Sequence, residues 1–500
     1  MTDNGLGSWP RRRAAMTPGK TALVQDGVLT TYAQLERATT RLAHGLRARG
    51  VSRADRVAFL GLNSVEMVIA MFATARLGAV FVPLNTRLAP PELGHLLEHS
   101  AAVLLLVEDP LAATAGQARA DRSGPATVVF TRTAGSGLDA LMAKDDSTID
   151  EPIGLYDLFM IQYTSGTSGL PKGVMLTHGN VIWNVYNLLV DIDLGSDETA
   201  LVTAPLFHTA ALNQVLFPTV LKGGTALIEA SFDPARAIDL IERERVTLLF
   251  GVTTMYLALS QSPRFHDADL GSLRLTLSGG SPIPESLLQT WLDRGLMIVQ
   301  GYGLTEASPG TTMLRAADGV RKLGSAGTAC FFTEVRVVDG DREADVGVAG
   351  EVLVRGPNVS PGYWEDPGAT ERAFSDGWLH TGDLATRDEE GYLRIVDRLK
   401  DMYISGGENV YPAEVEQALY THPAVAECAV IGVPDSTWGE VGRAFVVVRE
   451  GQHLDADDLL RHLNSRLARY KMPKAVEFVP DLPHNASGKL LKSLLRKATT

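Results

Sequence analysis

Tyr163-Thr164-Ser165-Gly166-Thr167-Ser168-Gly169-Leu170-Pro171-Lys172-Gly173 is the stretch from which the rest of the chain is read. It follows an apolar, strand-like run at 158–161. Small hydroxyl residues and glycines let backbone N–H groups approach phosphate oxygens, and the hydroxyls add donors of their own. Lys172 supplies a flexible positive charge. The pattern is not a Walker A loop, because Pro171 precedes the lysine and Gly173 takes the place of the magnesium-binding hydroxyl. A plain Gly/Ser turn would account for a shorter piece, but not for eleven such residues closing on a lysine.

On either side of this loop, helix-like and strand-like segments alternate. Residues 32–46 read as a helix with Leu35, Leu42 and Leu46 spaced along one face, and 57–60 as a short buried strand. Helix at 65–77, strand at 79–83, helix at 91–99 and strand at 103–107 follow, and a second series runs from 158 to about 300. Such alternation implies parallel sheet covered by helices. Residues 108–154, richer in Ala, Asp, Thr and Ser, read as a surface excursion. From 323 to 396 short strands with Gly and Asp turns suggest a smaller β-rich subdomain. There is no internal repeat and no low-complexity tract.

Composition narrows the class. Five hundred residues call for several folding units, and 45% hydrophobic with 21% charged residues is ordinary for a globular chain. The net charge of −13 argues against nucleic acid or an anionic membrane as partner. Cys330 and Cys428 stand far apart with no CxxC, so neither a disulfide framework nor structural zinc is expected. The apolar runs fall short of the ~18 residues of a membrane span. After Arg11–Arg13 only Ala14–Met16 are apolar, too short a stretch for a signal peptide. The expected location is the cytoplasm. The last forty residues carry nine Lys/Arg against two acids, +7 on a chain whose remainder carries −20. Such a tail is either a solubilising surface or a basic lobe facing a polyanionic small molecule.

Further motifs stand in order along the chain: Pro205-Leu206-Phe207-His208, Ser278-Gly279-Gly280-Ser281-Pro282, Gly301-Tyr302-Gly303-Leu304-Thr305-Glu306, Thr381-Gly382-Asp383, Asp397-Arg398-Leu399-Lys400-Asp401, Ser405-Gly406-Gly407-Glu408-Asn409 and Ser487-Gly488-Lys489. With the phosphate loop, the whole chain resembles the adenylate-forming superfamily of acyl-CoA synthetases, peptide-synthetase adenylation domains and luciferases. It is most similar in tone to bacterial fatty-acyl-type CoA ligases. Two departures stand out: Thr253 where many members carry proline, and Cys330-Phe331-Phe332 in place of a Pro/Gly turn.

The resemblance implies an α/β fold: a large N-terminal AMP-binding domain of parallel-type sheets over 1–397, with a β-rich subdomain at about 323–396. A small mobile α+β C-terminal domain over 398–500 would turn on a hinge near Lys400. The implied activity is ATP-dependent formation of an acyl-adenylate, then of a CoA thioester, with Mg²⁺ as metal. Attack of a carboxylate on ATP brings two anions together, so cations must offset their repulsion.

By resemblance, Lys489 bridges carboxylate and α-phosphate, with Lys172, Thr305 and His208 also catalytic. Thr164, Ser165, Gly166, Thr167, Ser168 and Gly169 cradle phosphates, and Glu306 holds Mg²⁺, which takes hard oxygen ligands. Gly280, Ser281, Pro282, Gly301, Tyr302 and Gly303 border the adenine, while Asp383 and Arg398 meet the ribose. Ser405, Gly406, Gly407 and Glu408 lie on the CoA side. Phe207, Leu212, Val252 and Leu304 form the acyl pocket. Plainer readings stand beside these: a core tyrosine at 302, a satisfied core histidine at 208, an interdomain ion pair for Arg398. The expected substrate is a hydrophobic fatty or aryl carboxylic acid. A carrier-protein phosphopantetheine as acceptor, an enzyme of one half-reaction, a non-catalytic nucleotide-binding regulator and a homodimer remain open.

Overall fold

The computed structural model describes residues 3–119, 124–131, 138–164, 171–281, 283–399, 401–405, 408–435, 438–464, 466–485 and 490–499. The first βα series builds a six-stranded sheet. Its order is Ala126–Phe130, Leu104–Glu108, Arg56–Leu60, Val80–Pro83, Leu158–Thr164 and Lys172–Thr177. All neighbours run parallel except the last pair. Val80–Pro83 and Leu104–Glu108 are buried at every position, as strands covered on both faces must be. The helix Tyr32–Ala48 starts at a capping box. The Thr31 hydroxyl accepts the Gln34 N–H at 3.2 Å and Gln34 Oε1 accepts the Thr31 N–H at 2.7 Å. Its Leu35, Leu42 and Leu46 are fully buried, as their spacing predicts.

The second series gives a nine-stranded sheet. Thr21–Gln25, Thr225–Ile228, Thr199–Val202, Leu248–Gly251, Leu275–Ser278 and Ile298–Gly303 are its parallel centre, in that order. Antiparallel strands close both edges. In open α/β sheets ligands bind beyond the carboxyl ends of parallel strands. Four of these strands lead at that end into Pro205–His208, Val252–Thr253, Gly279–Ser281 and Leu304–Glu306. The topology thus gathers motifs scattered over a hundred residues of sequence.

Two expectations change. Residues 108–154 are more than a surface excursion: Ala126–Phe130 extends the six-stranded sheet, and Leu138, Leu141 and Ile149 are buried in the main core. The strand lies at the edge of the sheet, where Ala126 and Val129 are exposed. The β-rich region is an antiparallel sheet from Glu334–Asp339 to Leu393–Arg398, closed over Val337, Val352, Val354 and Leu379. Its last strand carries the chain past 397, while Thr328–Ala329 belongs instead to the nine-stranded sheet.

A smaller α+β unit ends the chain. Glu408–Val410, Tyr403–Ser405, Gly439–Val448, Val425–Asp435 and Ala475–Phe478 form one sheet, accompanied by helices Pro412–Tyr420, Ala456–Asn464 and Lys492–Thr499. No helix among the described residues is long and apolar enough to cross a membrane.

Candidate active site

The phosphate loop joins two antiparallel strands, with Thr164 opposite Lys172. Ser165, Gly166, Thr167, Ser168 and Gly169 lie outside the described residues, so the site is built from what borders them. Lys172 Nζ sits 4.7 Å from the centroid of the Tyr363 ring, a cation–π distance. The Tyr363 hydroxyl in turn donates to Glu306 Oε1 at 2.8 Å. Burial, and then the Glu306 carboxylate, raise the Tyr363 phenol far above its usual range. Tyr363 therefore stays a donor and fixes one oxygen of Glu306. It was missed as a functional residue. The available signal was Pro361-Gly362-Tyr363-Trp364, a turn followed by two aromatics, and strand contacts from Gly173 to Trp364 and Met175 to Gly362 bring it beside Lys172.

Thr305 and Glu306 occupy a short 3-10 turn, Thr305–Ala307. The turn is held from outside: Ser360 N–H donates to the Glu306 carbonyl at 2.7 Å and Asn358 Nδ2 to the Ala307 carbonyl at 2.9 Å. Gly303 must be glycine, since a Cβ there would meet the Pro309 carbonyl at 1.7 Å. Gly301 stands two residues earlier on the same strand, with the backbone of Thr312 close by.

Asp383 and Arg398 face each other in strand register. Arg398 Nε lies 3.1 Å from Asp383 Oδ1, while the Tyr302 hydroxyl donates to Oδ2 at 2.8 Å. Burial, then the Asp383 charge, push the Tyr302 phenol well above its ordinary value. Each carboxylate oxygen keeps a further lone pair, so Asp383 remains able to accept ribose hydroxyls while both neighbours orient it. The Tyr302–Asp383 bond joins residues 81 apart and had no sequence signal.

On the adenine side Gly280 has φ +89°, a left-handed conformation that favours glycine. Ser281 Oγ lies 2.9 Å from Thr253 Oγ1. The threonine in place of proline thus ties this loop to the segment carrying Val252. Pro282 lies outside the described residues.

Phe207, Leu212 and Val252 pack on the same core, whereas Leu304 packs with Tyr302 against the β-rich sheet. Phe207 is anchored by a hydrogen bond from Gln162 Nε2 to its carbonyl. His208 precedes a helical segment containing a π turn, Leu212–Leu216. Burial, with Arg87 adding to it, lowers the His208 imidazole to about 4, so it is neutral at pH 7. Its Nε2 is buried without a hydrogen-bond partner among the described residues. The Cys330-Phe331-Phe332 departure lies on another face: Phe332 packs on Trp183 at 4.9 Å.

At the start of the C-terminal unit, Asp397 Oδ2 accepts the Ala413 N–H at 2.9 Å, and Oδ1 accepts the Arg398 N–H at 2.7 Å. Burial raises the Asp397 carboxyl to about 6, against the pull of Lys492. Ser405 and Glu408 pair across a two-residue connection, Ser405 buried and Glu408 exposed. Lys400, Gly406, Gly407 and Lys489 lie outside the described residues. The basic tail is not a free cationic surface: Lys471 pairs with Glu414 at 2.6 Å, Lys492 with Glu416 at 2.7 Å and Arg496 with Asp401 at 2.8 Å.

Fold and site together define a nucleotide-binding α/β enzyme with a separate C-terminal unit. The AMP-binding enzyme family matches residues 10–364, and the AMP-binding enzyme C-terminal domain matches 414–489. The chain belongs to the AMP-binding enzyme family. It is 52% identical over 498 residues, 99% of each chain, to a feruloyl-CoA synthase of Amycolatopsis sp. It is 42% identical, over 98% of each chain, to an indoleacetate–CoA ligase of Aromatoleum aromaticum. A solved o-succinylbenzoate CoA synthetase of Bacillus subtilis, in complex with ATP and magnesium, superposes with a TM-score of 0.87 at 34% identity, covering 98% of this chain and 99% of that one.

Proposed function

We propose that this enzyme joins an aryl-substituted monocarboxylic acid, of the phenylpropenoic kind, to coenzyme A. Its class is AMP-forming acid–thiol ligase. The acid's carboxylate attacks the α-phosphorus of ATP, pyrophosphate leaves, and an acyl-adenylate forms. The thiol of coenzyme A then attacks the acyl carbon and AMP leaves.

The observation that carries the substrate reading is the uncharged acid side. Phe207, Leu212 and Val252 are apolar, and His208 is held neutral. A second carboxylate on the substrate would be buried among these uncharged side chains at a cost of several kcal/mol unless it reached Arg87, the cation acting on His208. The likeness to two ligases named for aromatic acids favours an aryl over a fatty body.

Each proposed role follows from its surroundings. Glu306 presents hard oxygens fixed by Tyr363, a donor set that fits Mg²⁺, which when bound offsets charge on the phosphates. Lys172 and the loop before it hold phosphates. Asp383, oriented by Tyr302 and Arg398, accepts the ribose hydroxyls. Gly280, Ser281, Gly301 and Gly303 give the adenine a close backbone wall. Lys489 neutralises the charge that builds up between carboxylate and α-phosphate. For the thiol step the C-terminal domain turns about Lys400, withdrawing Lys489 and bringing Ser405–Glu408 to the site. The division at 397/398 is supported by the Asp397–Ala413 contact, which a rotation there would break. A carrier-protein acceptor or a silent regulator is disfavoured by relatives named as CoA ligases and by the presence of Lys172, Glu306, Asp383 and Lys489. We place the enzyme in the cytoplasm, where ATP and coenzyme A are supplied. A homodimer is the assembly to check by light scattering.

The test is kcat/KM for cinnamate-type acids, a long fatty acid, acetate and malonate at saturating ATP and coenzyme A. Each buried methylene should gain ~0.8 kcal/mol until the pocket is full, so the larger apolar acids should win, aryl first. A fatty acid ahead of every aryl acid would end the aryl reading. A preference for acetate or malonate would overturn the uncharged pocket itself.

A further inference from the structure

Lys489 stands one residue before Leu490 in the sequence, and the residues that flank 486–489 are described. Across this segment, His484 pairs with Leu490 in an antiparallel bridge, and the Leu491 N–H donates to the Pro483 carbonyl at 2.7 Å. Beneath this closure Leu482 and Leu495 are buried with Ala429, Ile431 and Phe445. The segment therefore has a rigid base, and that base is tied to the sheet at one polar point. His484 Nε2 lies 2.6 Å from Oε1 of Glu427, on the strand Val425–Asp435. Each side chain is only 22% exposed. Burial raises the Glu427 carboxyl, and the nearby His484 works against that rise. Asp481 completes the cluster, its Oδ1 accepting the Leu482 N–H at 2.9 Å.

We propose that His484 and Glu427 are a positioning pair that fixes the base of this segment, and through it Lys489, for the adenylation half-reaction. The inference rests on the assignment of Lys489 to adenylation. A cation serves a developing charge only when held at the right place, and a misplacement of about 1 Å can cost up to ~100-fold. The thiol step, in which Lys489 has withdrawn, should not depend on the pair.

Two assays separate the half-reactions: pyrophosphate release from ATP and acid, and thioester formation from a supplied acyl-adenylate and coenzyme A. Lys489→Ala serves as reference and should lose roughly 10²–10³ in adenylation alone. His484→Gln and Glu427→Gln should each lose about tenfold in adenylation, with the thiol step within about twofold of wild type. The double variant should be no worse than either single one, as for residues acting as a unit. His484→Arg keeps a hydrogen-bond donor against Glu427 and should restore adenylation. Equal losses in both half-reactions, no loss in either, or a failure of arginine to rescue would each overturn the pair. Should His484→Gln not fold, Glu427→Gln and His484→Arg decide alone by the same criteria. A Lys489→Ala variant that adenylates normally would instead remove the underlying assignment, whatever His484 does.

Discussion

Around Asp383 the polar groups come from the nine-stranded and β-rich sheets, while Asp397 reaches forward to the C-terminal unit. Asp383 is held by Tyr302 and Arg398, and Glu306 by Tyr363, all on strands and turns whose backbones are pinned by the core. These groups are in place before any ligand arrives, which is what electrostatic stabilisation of a charged transition state requires. Asp397 instead accepts the N–H of Ala413, near the start of the helix Pro412–Tyr420, with Lys492 of the last helix nearby. In the proposed domain rotation that contact is surrendered, whereas the bonds on Asp383 and Glu306 need not change.

The largest effect should come from freezing the exchange. Proline fixes φ and clashes with its surroundings when the backbone must change, at a cost of ~3 kcal/mol or more. Lys400→Pro should therefore leave one half-reaction near wild type and slow the other by roughly 100-fold. Both half-reactions at wild-type rates would mean that the backbone does not turn at this residue.

What the sequence disclosed follows the same division. Chemistry that needs contiguous backbone is legible: the run from Thr164 to Gly173, the glycines at 301 and 303, and the acid at 306 are written in one place. Parallel strands were legible as well, because burial on both faces leaves unbroken apolar runs such as residues 104–107. Bonds made by topology were not. Tyr302 reaches Asp383, and Tyr363 reaches Glu306, only because separate sheets meet there. The strand Ala126–Phe130 was missed because it is a short edge strand inside a stretch otherwise rich in Ala, Asp, Thr and Ser. The pairing of Lys471 with Glu414 and Lys492 with Glu416 had no sequence signal either, since the acids stand 57 and 76 residues away from their lysines.

A smaller effect should expose the hinge region through pH. Asp397 is raised from 3.8 to about 6 by burial against the C-terminal unit. The closed contact thus binds more protons than an opened one, so it gains stability as pH falls from about 6 toward 4 and has none left to lose above that window. The balance of the two half-reaction rates should shift by about tenfold across this window, and Asp397→Asn should flatten the shift. A variant that keeps the wild-type pH profile would assign the titration to another group.

The smallest effect belongs to the residue that touches both regions. Arg398 places its guanidinium on Asp383 and its backbone N–H on Asp397. Its side chain is 39% exposed, so solvent screens the ion pair, and such pairs are worth about 0.2–1 kcal/mol. Tyr302 still holds the other oxygen of Asp383 when the guanidinium is changed. Lysine keeps the charge but lacks the planar fork, so it orients the carboxylate less well. Arg398→Lys should therefore raise KM for ATP by only about 2–5-fold, and leave thioester formation from supplied acyl-adenylate untouched. High salt should raise the wild-type KM toward that of the variant, since it screens the same pair. The backbone bond to Asp397 survives the substitution, so the pH profile of the hinge should not move. A change in that profile would show that the two regions are one network, and that the division between a fixed site and an exchangeable one is drawn in the wrong place.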